Sequence, residues 1–243
     1  MNYKRLLIFF LIIIFFLIFS YIYPSITSYE IQEEYELEEA FVIRVIDGDT
    51  IETDLGDIRL LGINTPEKSD YLYQEAKDYL RKIENKTIYV LRDNMDKDKY
   101  DRLLRYVFYE NNMLNLELLE NGLAVRYMDN DLKYQEKIIR AEEYAIINEL
   151  GLYEISKSSC SNCIKLEKLD YENEFFILEN QCSYDCSLEG WYVQDSGRNK
   201  VQLTSINAYQ QETFTSNKHI WNNDGDRFFL RDQQGLLVFS YSY

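Results

Sequence analysis

The chain opens on an apolar stretch, residues 6–23, that contains no charged side chain, and a run of about 18 residues stands at the lower edge of what spans a bilayer. The pattern then reverses: Glu30, Glu33, Glu34, Glu36, Glu38 and Glu39 crowd residues 25–39 with no basic residue among them, the composition of a mobile tether. Short strand-like runs follow at 41–46, 50–53 and 58–63, broken by the turn compositions Asp47-Gly48-Asp49 and Leu55-Gly56-Asp57. Residues 71–83 carry Leu72, Ala76, Tyr79, Leu80 and Ile83 at helical spacing, and 87–91 and 103–109 read as strands. Asn115 is the predicted N-cap of a helix that Gly122 stops, and Tyr134, Ile138, Ala141 and Ala145 predict a helix over 132–150 that ends at Gly151. Three strands, a helix, two strands and closing helices are the order of a five-stranded OB-type barrel. Beyond Ser156 the segments 174–178, 190–194, 200–203, 227–230 and 236–239 predict a second, all-β domain of sandwich type. The expected fold class is therefore mostly β, with the domain map 1–24 membrane segment, 25–39 acidic linker, 40–155 barrel, 156–164 linker and 165–243 sandwich.

Charge adds direction to that map. Lys4 and Arg5 precede the apolar run and no small-x-small cleavage site precedes Pro24, so an uncleaved membrane anchor is favoured over a removed signal peptide. Positive charge on the short N-terminal side sends the rest of the chain outside; the barrel is expected to be extracellular, the alternative being secretion after cleavage. A formal net charge of −16 argues against broad, non-specific grip on a polyanion, so nucleic-acid chemistry must rest on a local site. His219 is the single histidine of the chain, which excludes mechanisms that pair two histidines.

Three clusters supply the candidate chemistry. Asp47-Gly48-Asp49-Thr50 turns the first strand into the second and projects carboxylates toward one hard cation. Arg59-Leu60-Leu61-Gly62-Ile63-Asn64-Thr65-Pro66-Glu67 offers a guanidinium, an amide oxygen, a backbone carbonyl and a carboxylate. Asp98-Lys99-Tyr100-Asp101-Arg102 adds a second arginine ahead of a strand. Phosphodiester hydrolysis asks for this set: fixed positive charge on the equatorial oxygens of a pentacoordinate transition state from Arg59 and Arg102, a carboxylate, Glu67, to deprotonate water, and oxygen ligands for a cation from Asp49, Asn64 and the Thr65 carbonyl. All-oxygen ligation points to calcium over zinc. Arg105 and Arg126 lack such neighbours and read as solvated charges.

In these clusters, and in Asn121-Gly122-Leu123-Ala124, the chain resembles the staphylococcal nuclease (thermonuclease) family. The resemblance implies an OB-fold barrel, one Ca²⁺, and hydrolysis of DNA and RNA at the 5′ P–O bond to leave 3′-phosphate ends. It implies Asp49 as metal ligand, Thr65 as carbonyl ligand, Glu67 as general base, Arg59 and Arg102 as the phosphate clamp, Asp47 behind the metal, and Lys99 and Tyr100 near the terminal phosphate of the substrate. Asn64 stands where the family has a second metal-binding aspartate. An amide oxygen brings no negative charge, so calcium affinity is expected to fall to the high-micromolar to millimolar range of extracellular sites. The rival expectation is a catalytically weak or inactive OB module that binds nucleic acid or protein at the cell surface.

Cys160-x-x-Cys163 and Cys182-x-x-x-Cys186 have nearly the two-knuckle spacing of a structural Zn²⁺ site, but on the exterior of a cell disulfides are favoured, with connectivity left open. The stretches 176–180, 188–195 and 221–235, with Trp191 and Trp221, resemble a lamin-tail domain. That resemblance implies an immunoglobulin-like sandwich with core tryptophans and a partner or surface it does not name. Asp224-Gly225-Asp226 is expected to be a hairpin turn.

Overall fold

Strand β1 (Glu38–Val45) sends Ala40 and Val42 inward, and a bulge between Val42 and Arg44 then lets Val45 face the core out of alternation. It hairpins into β2 (Thr50–Thr53), and β2 into β3 (Gly56–Leu60). On its other edge β1 pairs with β5 (Thr87–Lys97), β5 pairs with β6 (Leu103–Tyr109), and β6 returns to β3 in parallel. The sheet thus closes on itself as a five-stranded barrel, with β7 (Asn112–Met113) appended to β6 and the short pair β4 (Ile63–Asn64) and β8 (Val125–Arg126) at one end. This computed structural model describes residues 37–127, 132–223 and 225–243; the expected membrane segment and most of the acidic tether lie outside them. Among the described residues no helix is long and apolar enough to cross a membrane.

Inside the barrel, Val42, Ile51, Ile58, Leu60, Val90 and Tyr106 are inaccessible to solvent or nearly so, and helices α1 (Tyr73–Leu80), α2 (Leu114–Glu120) and α3 (Gln135–Ile147) close the core with Leu80, Leu114, Leu118, Ile138 and Ala141. Each Val, Leu and Ile among them contributes about 1.5–3 kcal/mol by leaving water. Asn115 is not the N-cap that its residue type suggests. Met113 holds that position, and buried Asn115 bonds the Val107 amide at 2.9 Å and the Leu61 carbonyl at 2.9 Å, fastening α2 to the barrel wall. Arg105 and Arg126 are corrected as well: Arg105 is buried and paired with Asp96 at 2.8 Å, and Arg126 meets Glu142 at 3.0 Å.

The C-terminal half holds two antiparallel sheets. One is β9 (Ile164–Asp170), β10 (Phe175–Asn180) and β13 (Gln211–Thr215), with β10 central. The other runs β12 (Lys200–Gln202), β11 (Tyr192–Gln194), β14 (Arg227–Arg231), β15 (Leu237–Ser242). Phe176, Leu178 and Phe214 from the first meet Val193, Phe228 and Leu230 from the second in one core, and both tryptophans are buried in it. Asp226 lies on the connection between the two sheets, from β13 to β14, where a hairpin turn was expected; Asp224 is outside the described residues. Segment 156–164, expected to be a linker, is seated in the fold. Ser156 is buried and donates its amide to the Leu237 carbonyl at 2.7 Å, and disulfides join Cys160 to Cys186 and Cys163 to Cys182.

Barrel and sandwich form a single unit over Leu37–Tyr243, and β14 explains how. All five of its residues are buried because the strand has two apolar faces: Phe228 and Leu230 point into the sandwich, while Phe229 packs on Val125, Ala145, Leu152 and Tyr153 of the barrel. Arg227 and Arg231 share the Phe229 face. Arg227 pairs with buried Glu142 of α3 at 2.7 Å, and Arg231 donates to the Leu152 carbonyl at 2.6 Å.

Candidate active site

The β1–β2 turn comes close to the loop after β4 because residue 48 has no side chain. A Cβ there would stand 2.7 Å from the Thr65 hydroxyl oxygen and 2.8 Å from the Ala76 methyl. This approach sets Asp49 against Thr65. The Asp49 carboxylate, 2% exposed, accepts the Thr65 amide at 2.8 Å and the Thr65 hydroxyl at 3.0 Å on Oδ2, and the Thr50 hydroxyl at 3.1 Å on Oδ1. Asp47 supports the turn by accepting the Asp49 amide at 3.1 Å.

Arg59 leaves β3 beneath this turn. Its Nε lies 3.4 Å from Asp49 Oδ1, its Nη1 donates to the Leu60 carbonyl at 2.6 Å, and its Nη2 donates to the Ile63 carbonyl at 2.6 Å and to Asn64 Oδ1. Expected as half of a phosphate clamp, Arg59 is buried and spends its donors on the site's own framework. Arg102 is the more open guanidinium, its side chain 28% exposed. Asp98 holds it through Nε at 2.8 Å and Nη2 at 2.7 Å, its Nη1 reaches the Thr50 hydroxyl at 3.3 Å, and it stacks over exposed Tyr100 at 5.4 Å. Lys99 is exposed beside the same ring. Glu67 projects from the loop after Pro66 with its side chain 60% exposed.

A residue that no local cluster announced completes the group. Arg198, on the β11–β12 turn of the sandwich, extends Nη1 to the Thr65 carbonyl at 2.8 Å and to Asp49 Oδ2 at 3.4 Å, and Nη2 to Glu67 Oε1 at 3.0 Å. From the same turn the Ser196 carbonyl accepts the Asn64 side-chain amide at 3.0 Å. The faint sequence signal is a turn, Ser196-Gly197-Arg198-Asn199-Lys200, that carries two cations in a strongly acidic chain.

Charge follows this geometry. Burial by itself pushes the Asp49 carboxyl up, but Arg59 and Arg198, with the bonds from Thr65, outweigh it and hold the group below the usual carboxylate range. Asp47 moves the other way, raised by burial and by the neighbouring Asp49 charge. Burial lowers Arg59, opposed by Asp49 and reinforced by the positive charge of Arg198 and Arg102. Asp195, at the base of the Arg198 turn, is pushed up by burial to about 6 although it accepts two bonds from Asn199, each 2.6 Å long.

The calcium implied by the resemblance needs six to eight oxygen ligands. In this arrangement the oxygens nominated for it are engaged by donors: Asp49 by Thr65, Thr50 and two arginines, the Thr65 carbonyl by Arg198, and Asn64 Oδ1 by Arg59. The set as arranged does not fit calcium, because a guanidinium already bridges Asp49, Thr65 and Glu67.

Comparison with known proteins agrees with the barrel. Residues 57–154 match the family described as staphylococcal nuclease homologue. The thermonuclease of Staphylococcus hyicus is 37% identical, the match covering 43% of this chain and 69% of that protein, and the thermonuclease of Staphylococcus intermedius is 36% identical over 48% of this chain and 77% of its own length. An uncharacterised protein of Methanocaldococcus jannaschii is 33% identical over 48% of this chain and 72% of that protein. With a closed barrel, the three clusters at one end of it and this similarity, the chain belongs to the staphylococcal nuclease homologue family.

Proposed function

We propose that this chain is a nuclease that hydrolyses phosphodiester bonds of DNA and RNA and leaves 3′-phosphate ends. One observation carries the reading: the three sequence-distant clusters meet in a continuous set of contacts, Arg102 to Thr50, Thr50 to Asp49, Asp49 to Arg59 and Thr65, to which Arg198 joins the exposed Glu67. In this reading Glu67 takes a proton from the attacking water as the water oxygen bonds to phosphorus. The bond from phosphorus to the 5′ oxygen breaks, and that oxygen takes a proton from solvent. Arg102, open to solvent and aimed by Asp98, binds the non-bridging oxygens as charge builds on them. Arg59 acts from below as a fixed charge that orients Asp49 and Asn64. Lys99 and Tyr100 offer a cation and a ring to the neighbouring nucleotide. Calcium supplies charge neutralisation in the family resemblance.

For the flanking parts the reading is an anchor at 6–23 with the barrel extracellular, a setting in keeping with two disulfides. We read the two-sheet half as an immunoglobulin-like, lamin-tail-like domain that presents the enzyme to a partner or surface.

The test is digestion of supercoiled plasmid and of RNA by the full chain, with the termini of the products analysed. Cleavage that leaves 3′-phosphates, reduced on the order of 10²–10³-fold in Arg102→Ala, supports the reading. Binding without cleavage under all conditions would favour the rival module, for which the engagement of Glu67 by Arg198 is the supporting observation.

A further inference from the structure

Two of the groups that the family resemblance assigns to a divalent metal, Asp49 and the Thr65 carbonyl, are bridged here by one side chain, together with the base Glu67. Arg198 touches the Thr65 carbonyl, the Asp49 carboxylate and the Glu67 carboxylate together. Three further features fit this contact to the site. Asn64, which departs from the family aspartate, donates its amide to the Ser196 carbonyl at 3.0 Å; a carboxylate there would set oxygen against oxygen, so the amide suits the Arg198 turn. That turn is anchored from beneath. Asp226 accepts the Ser196 amide at 3.2 Å, Arg227 Nε donates to the Ser196 hydroxyl at 3.2 Å, and Arg227 is itself fixed to buried Glu142 at 2.7 Å. Lastly, Arg198 adopts φ 74, a left-handed conformation that costs a side-chain-bearing residue of order 1 kcal/mol or more and persists where the surroundings impose it.

Charge sums in the same direction. Asp47, Asp49, Glu67 and Asp98 face Arg59, Arg102 and Arg198, and the two further positive charges of a divalent ion would meet three guanidinium groups. A guanidinium has five N–H donors. Its contacts with Asp49, Thr65 and Glu67 leave Nε–H and one Nη2–H without a partner among the described residues, and the side chain is 24% exposed.

We propose that Arg198 is the resident cation of this site: its guanidinium takes the position of the divalent metal, steadies Glu67, and offers its remaining N–H groups to the scissile phosphate, so that hydrolysis needs no added metal. The proposal rests on the nuclease reading for its catalytic half and on geometry alone for its structural half. A plug that must leave before cleavage is the weaker account, since the turn is tied to the buried Arg227–Glu142 pair.

The full chain, Arg198→Ala and Arg198→Lys are melted in a calcium chelator and in millimolar calcium, and plasmid nicking is measured in both. The wild-type chain is expected to melt at one temperature and to nick at one rate in the two conditions. Arg198→Ala is expected to lose on the order of 10²-fold in nicking in chelator and to acquire a calcium-dependent rise in melting temperature, as Asp49, Thr65 and Glu67 become free to ligate. Arg198→Lys keeps the charge without the fork and is expected to lose less and to gain a smaller rise. Wild-type nicking abolished by chelator, with a melting temperature raised by calcium, would overturn the proposal in favour of a metal that displaces the arginine. Faster nicking by Arg198→Ala in chelator would overturn it in favour of a plug. The expected melting pattern with no nicking by any variant would keep Arg198 as the cation and overturn the hydrolytic reading instead.

Discussion

At position 64 the choice between amide and carboxylate sets the character of the site. Asn64 Oδ1 accepts from Arg59 and its Nδ2 donates to Ser196. Asn64→Asp keeps the first bond, turns the second into a repulsion and adds a negative charge next to Asp49. We expect Asn64→Asp to melt lower, by about 1–3 kcal/mol of stability, to the same extent in chelator and in calcium because Arg198 stays in place; melting in both conditions checks it. The residues of the barrel site were legible beforehand because each lies in a cluster of a few residues, and turns or strand ends join those clusters over short distances. Their roles were less legible. That Arg59 would be buried and turned inward depends on the Leu60 and Ile63 carbonyls, which no residue type announces. Arg198 was not legible at all: it stands 149 positions from Asp49, and only the docking of one sheet on the barrel brings the two together.

Among the elements, the turn between β11 and β12 holds most of the chemistry that the barrel does not supply. Asp195 braces it by accepting the Asn199 amide and side chain, and burial raises its carboxyl from 3.8 to about 6. A carboxyl raised in the folded state binds its proton more tightly there than in the unfolded chain, so ionising it costs stability. That cost is absent below about 3.8, grows as pH rises and is fully present above about 6. Asp195→Asn is therefore expected to remove a decline in stability between pH 4 and 6, a window set by those two values; its denaturation free energy against pH should be flatter there than that of the wild type, with Asn199 turning its amide to accept from the new side chain. The strands lining the barrel could be read from their alternation, and β11, β12, β14 and β15 from their apolar runs. β9 and β13 were missed because edge strands such as Gln211–Thr215 bury only one residue and carry no such pattern. The bulge in β1 broke the alternation that would have singled out Val45.

For the whole molecule, the chain reads in sequence as two domains and a linker, yet β14 serves two cores at once and ties barrel to sandwich through Arg227 and Glu142. Both members of that pair are nine-tenths buried or more; without Arg227, Glu142 keeps Arg126 at 3.0 Å and the Tyr153 hydroxyl at 2.6 Å but loses its buried charge partner from the sandwich. Arg227→Ala is expected to cost about 1.5–3 kcal/mol and to split or broaden the unfolding transition, expected to be single in the wild type, as scanning calorimetry would reveal. The same linkage makes the sandwich a part of the candidate active site, since it carries Arg198 to Asp49 and Glu67. Sequence patterns foretold the barrel strands and the sheet of β12, β11, β14 and β15, but not the docking of that sheet on the barrel, because the Phe229 face of a strand buried on both sides looks like ordinary core. The most direct measurement of the central claim is the initial rate of plasmid cleavage by the full chain against Glu67→Gln, a substitution that keeps the shape of an exposed side chain and removes its basicity. Glu67→Gln is expected to lose on the order of 10²–10⁴-fold with an unchanged fold; equal rates in the two proteins would rule out Glu67 as the base.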